Sequence, residues 1–190
     1  MSDALILQLD ASGSPQAWVG WQDAVIYHAK NMVAWSLGVV EFTFKGGKSR
    51  LSGEQSAITT ASIIAVKGST GSKSAKYKVP VLTNRTLFRR DRHICAYCGD
   101  HFAYDELSRD HIMPVSRKGK DVWQNVVTAC KPCNQRKNDM TPEEANTHLL
   151  YVPYVPTKYE AMILQNRKIL ADQLDFLMAH VPKNSRLWSE

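Results

Sequence analysis

Long apolar runs and a leader-like start are both missing from this chain of 190 residues. The longest apolar runs, such as 4–7 and 62–66, are far shorter than the ~20 residues that a membrane-spanning helix needs. Because no basic segment followed by an apolar one opens the chain, the sequence predicts a cytoplasmic protein with no membrane partner. Glycine and proline are not abundant either, at 10 and 8 residues, which with 44% hydrophobic residues excludes a disordered, collagenous or coiled-coil chain.

Basic residues are concentrated in one part of the chain, whose net charge is +6. Residues 84–137 contain eleven basic and six acidic side chains, whereas 138–190 contain more acidic than basic ones. The densest segment is 67–92, with eight basic residues and one acidic residue. Such a segment is either a solvated surface or a site for a polyanion, because neutralising phosphates releases counterions. Charge alone leaves both interpretations open.

Cysteine is scarce, and its four positions are grouped. Cys95 and Cys98 form one C-x-x-C pair and Cys130 and Cys133 form another, with 31 residues between the pairs. In a cytoplasmic protein thiols stay reduced, which disfavours two disulfides. Two tight turns that each aim two sulfurs at one ion form a closed tetrahedral site, so the spacing predicts a structural zinc ion. A redox-active dithiol is the weaker alternative.

Local patterns divide the chain into an N-terminal α/β region at 1–82, a central module at 83–142 and a C-terminal helical region at 143–190. In the first region the patterns predict a strand near 4–9, a helix at about 21–31 and a strand at 39–44. Residues 51–66 show no clear period.

The other two regions contain helix-start signals. Thr83 or Asn84 is expected to cap a short helix, and residues 107–112 are expected to be extended. A helical turn is predicted at 134–138. Thr141 begins a capping box with Glu144 and predicts a helix start. A long helix is predicted over about 158–180, and its apolar face indicates either core packing or a dimer interface.

Polar residues suited to catalysis lie between and just after the cysteine pairs. Asp110 and His111 are adjacent, Asn125 lies 14 residues after His111, and Asn134 follows Cys133 directly. A histidine can exchange a proton near neutral pH. Carboxylate and amide oxygens suit a hard cation such as Mg²⁺ or Mn²⁺. Each residue alone is a weak signal, and their order relative to the cysteines carries the prediction.

The central module resembles the zinc-held, four-cysteine type of HNH endonuclease. The resemblance covers 83–142 and rests on Cys95-x-x-Cys98, Asp110-His111-Ile112-x-Pro114, Ser-Arg-Lys-Gly-Lys at 116–120, Asn125, and Cys130-x-x-Cys133-Asn134-x-x-Lys137. More loosely, residues 5–34 are similar to the N-terminal segment of stand-alone bacterial and phage HNH proteins. The resemblance implies an α+β fold: a ββα-metal (His-Me finger) module with a four-cysteine zinc site, an N-terminal α/β extension and a C-terminal helical segment.

The same resemblance implies a metal-dependent endonuclease that hydrolyses DNA phosphodiester bonds. His111 would be the general base that activates water, and Asn125 would orient its imidazole. Asp110 and Asn134 would hold a catalytic Mg²⁺ or Mn²⁺, with Ni²⁺ as a further candidate. The family often has histidine where this chain has Asn134, whose neutral amide oxygen is a weaker ligand.

DNA is therefore the expected partner. Because one site faces one strand at a time, cutting a duplex would need a homodimer or two successive nicks. A zinc-held module that binds nucleic acid without cleaving it is the alternative function. The predicted DNA-binding residues are Arg85, Arg89, Arg90, Arg117, Lys118, Lys120, Lys137, Lys73, Lys76 and Lys78.

Overall fold

The computed structural model describes residues 4–68, 80–166 and 168–188. The chain divides into two compact units. The sheet unit comprises Met1–Lys78 with Lys158–Val181, and the cysteine unit comprises Val79–Thr157 with Pro182–Glu190. Three predicted DNA-binding residues, Lys73, Lys76 and Lys78, lie outside the described residues. None of the helices in the described ranges has the length and apolarity needed to cross a membrane.

The sheet unit is built on a four-stranded sheet with the order β2-β1-β4-β3. The strands are β1 (Ile6–Asp10), β2 (Pro15–Val19), β3 (Val33–Lys48) and β4 (Gln55–Val66). β1 runs antiparallel to β2 and parallel to β4, and β3 is antiparallel to β4. Alternation along β1 and β4 sends successive apolar side chains into different cores, because side chains on a strand point to opposite faces.

Helices supply the partners of these two cores. The helix α1 (Trp21–Ala29) contributes Ala24 to the core that contains Ile6 and Ile64. Helices α4 (Lys158–Gln165) and α5 (Ala171–Met178) contribute Met162 and Leu177 to the other core. Helices thus pack against the apolar side chains on both faces of the sheet.

The strands extend the predicted pattern. The strand expected at 39–44 is part of the longer β3, and the stretch 51–66 without a clear period contains β4. The pairing register of β3 with β4 shifts between Leu37 and Glu41, where Gly38 has a φ of +118°. Because this irregularity interrupts the alternation of side chains along β3, the sequence pattern located only the middle of the strand. β2 had no predicted counterpart.

The prediction of one long helix at about 158–180 is wrong, because this segment forms two separate helices, α4 and α5. Asn166 accepts a hydrogen bond from the backbone N–H of Lys168 through its side chain, which forms a local turn. Leu170 then has an extended backbone, and its N–H donates to the side chain of Gln173. Gln173 is buried and also donates to the carbonyl oxygens of Leu5 and Ser62. This anchor starts α5 as a separate helix.

The compact units group the chain differently from the three regions that the sequence indicates. Helices α4 and α5 belong with residues 1–78, while the residues after Val181 belong with the cysteine unit. The capping box at Thr141 forms, with its N–H donating to Glu144 at 2.9 Å. The predicted helix does not continue, because the segment is a set of turns and Asn146 has a φ of +49°.

The cysteine unit has a strand–strand–helix centre. Strands β5 (Leu107–His111) and β6 (Val126–Cys130) pair in antiparallel register, and helix α3 (Lys131–Lys137) follows β6 directly. Helix α2 (Asn84–Arg90) begins at the predicted cap, where Thr83 Oγ1 accepts from the N–H of Thr86. A core of Leu87, Phe88, Leu107, Trp123 and Val126 joins α2 to the hairpin. This arrangement confirms the predicted α+β fold with a ββα module.

Candidate functional site

The four cysteines converge on one point. Cys95 and Cys98 lie on a turn after α2, Cys130 ends β6, and Cys133 lies in the first turn of α3. Their sulfur atoms all lie within 4.8 Å of one another, and no disulfide links them. A tetrahedral site with metal–sulfur bonds of about 2.3 Å needs sulfur separations of about 3.8 Å. The cluster therefore fits a closed structural metal site, as the spacing predicts.

Asp110 lies on β5 with both carboxylate oxygens engaged. Lys137 Nζ donates to Oδ1 at 2.9 Å and to the carbonyl oxygen of His111 at 2.7 Å. The Tyr97 hydroxyl donates to Oδ2. Burial and the neighbouring Asp110 carboxylate raise the pKa of Tyr97 far above its ordinary value, so the hydroxyl keeps the proton that it donates.

Two of the predicted DNA-binding residues are structural. Lys137 is only 1% exposed, so its ammonium group pairs with Asp110 instead of a phosphate. Arg90 is completely buried and forms two hydrogen bonds with Asp91, at 2.8 and 3.0 Å. Its guanidinium also donates to the carbonyl oxygens of Trp123, Val126 and Tyr154. The DNA-binding predictions for Arg90 and Lys137 are wrong because neither cation reaches the surface.

His111 lies next to Asp110 but takes part in a different set of contacts. His111 Nε2 lies 3.0 Å from Asp121 Oδ1. Arg109 Nη1 donates to both oxygens of Asp121, at 2.8 and 2.7 Å, and Arg109 Nε donates to Asn84 Oδ1. Arg109 and His111 are two residues apart on β5 and share one of its faces. The ion pair with Arg109 and the contact with His111 hold the pKa of Asp121 below its ordinary value.

Asp121 is a site residue that the sequence did not indicate. Its position beside His111 depends on the path of the loop between β5 and β6, which no local pattern specifies. An acidic residue directly after the basic stretch 116–120 is the signal that could have found it.

Asn125 closes the loop that follows His111. Its side-chain oxygen accepts from the N–H of Met113 at 2.9 Å, and its amide nitrogen donates to the carbonyl oxygens of Met113 and Lys120. The loop is tight, because a Cβ added to Gly119 would lie 1.8 Å from the Met113 carbonyl oxygen. All three side-chain hydrogen bonds of Asn125 thus go to loop backbone.

Asn134 lies near the Asp110 face of β5. Its amide nitrogen donates to Ser108 Oγ at 2.9 Å, and Ser108 precedes Asp110 by two residues on the same strand. Residues two apart on a strand share a face, so the amide and the carboxylate approach the same side of β5. Each Asp110 oxygen has a second lone pair beyond the hydrogen bond it accepts. Oxygen ligands of this kind suit a hard divalent cation, and a cation bound here would share the Asp110 carboxylate with the ammonium group of Lys137.

The remaining predicted DNA-binding residues differ in their availability. Arg85, Lys118 and Lys120 are exposed. Arg117 is exposed as well, but its Nη1 donates to both oxygens of Glu144, at 2.7 and 2.6 Å. Arg89 is half-buried.

Comparison with known proteins relates one segment of the chain to a known family. Residues 95–150 match a family model described as HNH endonuclease. No curated protein matches the chain. The matched segment contains both cysteine pairs, the β5–β6 hairpin and helix α3. Residues 95–150, with their ββα centre and four-cysteine cluster, thus form a segment that is similar to the HNH endonuclease family.

Proposed function

We propose that the protein is a metal-dependent endonuclease that hydrolyses DNA phosphodiester bonds. The observation that carries this proposal is the arrangement at the end of β5. There the imidazole of His111 contacts the carboxylate of Asp121. The neighbouring Asp110 lies on the same face of β5 as Ser108, which accepts a hydrogen bond from Asn134. The family match gives the nuclease class, and the exposed arginine and lysine side chains suit a polyanionic substrate.

His111 is the proposed general base. Its side chain is 22% exposed, so a water molecule can reach it. With Nε2 directed at Asp121, Nδ1 is the ring nitrogen left to take a proton from the attacking water. A well-placed general base contributes roughly 10²- to 10⁴-fold to a rate.

Two metals have separate proposed roles. The four-cysteine cluster would hold a structural zinc ion. Asp110 and Asn134 would hold Mg²⁺ or Mn²⁺, with Ni²⁺ as a further candidate, and such a cation would neutralise charge on the scissile phosphate. Because only one of these two ligands is charged, we expect weak binding of the catalytic cation until DNA supplies further oxygens.

Exposed cations of the cysteine unit are the proposed contacts to the DNA backbone. Arg85, Lys118 and Lys120 fit this role by exposure, and Arg117 could join them after release from Glu144. The proposal of DNA contacts rests on the sequence alone for Arg89, Lys73, Lys76 and Lys78. A single site faces one strand, so cleavage of a duplex would require either a second copy of the chain or two nicks.

Plasmid digestion tests the proposed function. We expect the wild-type protein to nick supercoiled DNA with Mg²⁺, Mn²⁺ or Ni²⁺ and to stop with EDTA. His111→Ala should lower the rate by about 100-fold or more, because it removes the base. His148→Ala is the matched control, since His148 is exposed in the same unit and is expected to leave the rate unchanged.

Two results would contradict the proposal. DNA binding without nicking in any metal would favour the alternative, a nucleic-acid-binding module held by zinc. A His111→Ala variant that nicks at the wild-type rate would exclude His111 as the base.

A further inference from the structure

We infer that Asp121 is the positioning residue of His111, and that Arg109 holds Asp121 in place for this role. The inference rests on the proposed function and deepens it, because it names the group that orients the base.

The first argument is the contact itself. Asp121 Oδ1 lies 3.0 Å from His111 Nε2, which is a hydrogen-bonding distance. An ionised carboxylate can only accept, so Nε2 carries the hydrogen and donates it. In a neutral imidazole the other nitrogen, Nδ1, then keeps its lone pair. The contact therefore selects the tautomer in which Nδ1 can act as the base.

The second argument is that Asp121 is itself immobilised. Arg109 grips both carboxylate oxygens through Nη1, and its Nε donates to Asn84 at the start of α2. Arg109 is only 19% exposed, whereas Asp121 is 54% exposed. The partly buried arginine thus fixes an acid that would otherwise be free to rotate in solvent.

The third argument concerns the backbone that carries Asp121. Asn125 donates to the carbonyl oxygen of Lys120, the residue directly before Asp121. The same amide group binds Met113, two residues after His111. Asn125 therefore fixes the distance between the backbone that carries Asp121 and the backbone that follows His111. The orienting role expected of Asn125 would reach the imidazole through Asp121.

The alternative interpretation is that Arg109 and Asp121 form a surface ion pair that has no effect on His111. Exposed ion pairs contribute only about 0–1 kcal/mol to stability, so stability measurements would not separate the two interpretations. The ring tautomer does separate them, because a surface ion pair alone would not select it.

The experiment compares the wild-type protein with Asp121→Ala by ¹⁵N NMR of the histidine rings, at mildly alkaline pH and without catalytic cation or DNA. His111→Ala assigns the signals. We expect wild-type His111 in the tautomer with the hydrogen on Nε2, and a mixture of tautomers in Asp121→Ala. Asp105→Ala is the control, because Asp105 is an exposed acid of the same unit. Its spectrum should match the wild type.

Steady-state cleavage of DNA gives the second readout. Asp121→Ala should lower kcat by roughly 10- to 100-fold, a part of the full contribution of a general base. KM for DNA should change by less than about twofold, because the phosphate contacts are untouched.

The outcomes separate this inference from the proposed function. An unchanged tautomer and an unchanged kcat in Asp121→Ala would overturn the positioning role. A wild-type protein that shows the expected tautomer but cleaves nothing would overturn the nuclease function, while the Asp121 contact would still be seen in the NMR spectrum.

Discussion

Single basic residues of the central motif have opposite roles that their sequence positions do not reveal. Arg85 and Arg90 lie five residues apart in the same basic segment, yet one is exposed and the other is completely buried. Arginine is rarely buried without a partner, and Asp91 supplies that partner here. Charge patterns therefore identify a basic segment but not which of its members face solvent.

Arg90→Leu should destabilise the cysteine unit, because it removes the closest counter-ion of the buried Asp91 and leaves only Arg186, at 3.9 Å, as a cation beside it. Breaking a buried ion pair on one side costs about 3–5 kcal/mol. Urea unfolding of the metal-loaded protein measures this loss. Arg85→Leu is the matched control and should leave the free energy of unfolding within about 0.5 kcal/mol. We expect Arg85→Leu, in contrast, to weaken DNA binding. Unchanged stability with lost DNA binding in Arg90→Leu would restore Arg90 as a DNA contact.

Residues of the candidate site were predictable to the extent that their chemistry depends on spacing. The clustering of the cysteine pairs was predictable because a metal site needs these residue types at this spacing, whereas the catalytic roles of Asp110 and His111 stay predictions that rest on the family resemblance. The contacts of Asp121 and Tyr97 were not predictable. They depend on which face of β5 each residue occupies and on the path of a loop.

At the scale of elements, caps and alternation located most of the secondary structure but not its limits. The capping signals at Thr83 and Thr141 both form, yet only the first begins a helix. The difference lies beyond the cap, since α2 buries Leu87 and Phe88 in a core. The break before α5 escaped prediction because it depends on Gln173, whose partners Leu5 and Ser62 are distant in sequence.

Asp172 joins α5 to two strands of the sheet unit. Its Oδ2 accepts from Ser62 Oγ at 2.5 Å and from the N–H groups of Val39 and Val40 at the irregularity in β3. Gly38 makes room for it, because an added Cβ would lie 2.6 Å from this oxygen. Burial alone would raise the pKa of Asp172, but these hydrogen bonds prevail and the pKa is lowered.

The lowered pKa predicts how the contribution of Asp172 depends on pH. The folded state binds the proton less readily than the unfolded chain, so the stabilisation is complete above the ordinary value of 3.8 and is lost as the pH falls below it. Asp172→Ala should lower the free energy of unfolding by about 1–3 kcal/mol at neutral pH. The difference from wild type should shrink below pH 3.8. Asp175→Ala, an exposed change on α5, is the control. A difference that grew on acidification would contradict the prediction.

For the whole molecule, the chain passes through the two units in alternation. The first segment, Met1–Lys78, belongs to the sheet unit, and Val79–Thr157 belongs to the cysteine unit. The segment Lys158–Val181, with α4 and α5, belongs to the sheet unit again, and Pro182–Glu190 belongs to the cysteine unit. The two units are stabilised differently. Among the described residues, the sheet unit has two apolar cores, whereas the cysteine unit has one apolar core and the cluster around the four cysteines.

Removal of the structural metal should therefore affect the two units unequally. Structural zinc contributes on the order of 10 kcal/mol in small zinc-binding peptides, which is comparable to the whole stability of a domain. We expect chelation to expose the backbone amides of β5, β6 and α3 to hydrogen exchange, while those of β1 and β4 stay protected. Cys130→Ser should act in the same way, because it removes one ligand of a closed site. Hydrogen exchange with mass spectrometry on the full chain measures both units at once. Equal loss of protection in the two units would show that they fold as one, and unchanged protection in β6 would show that the cluster holds no structural metal.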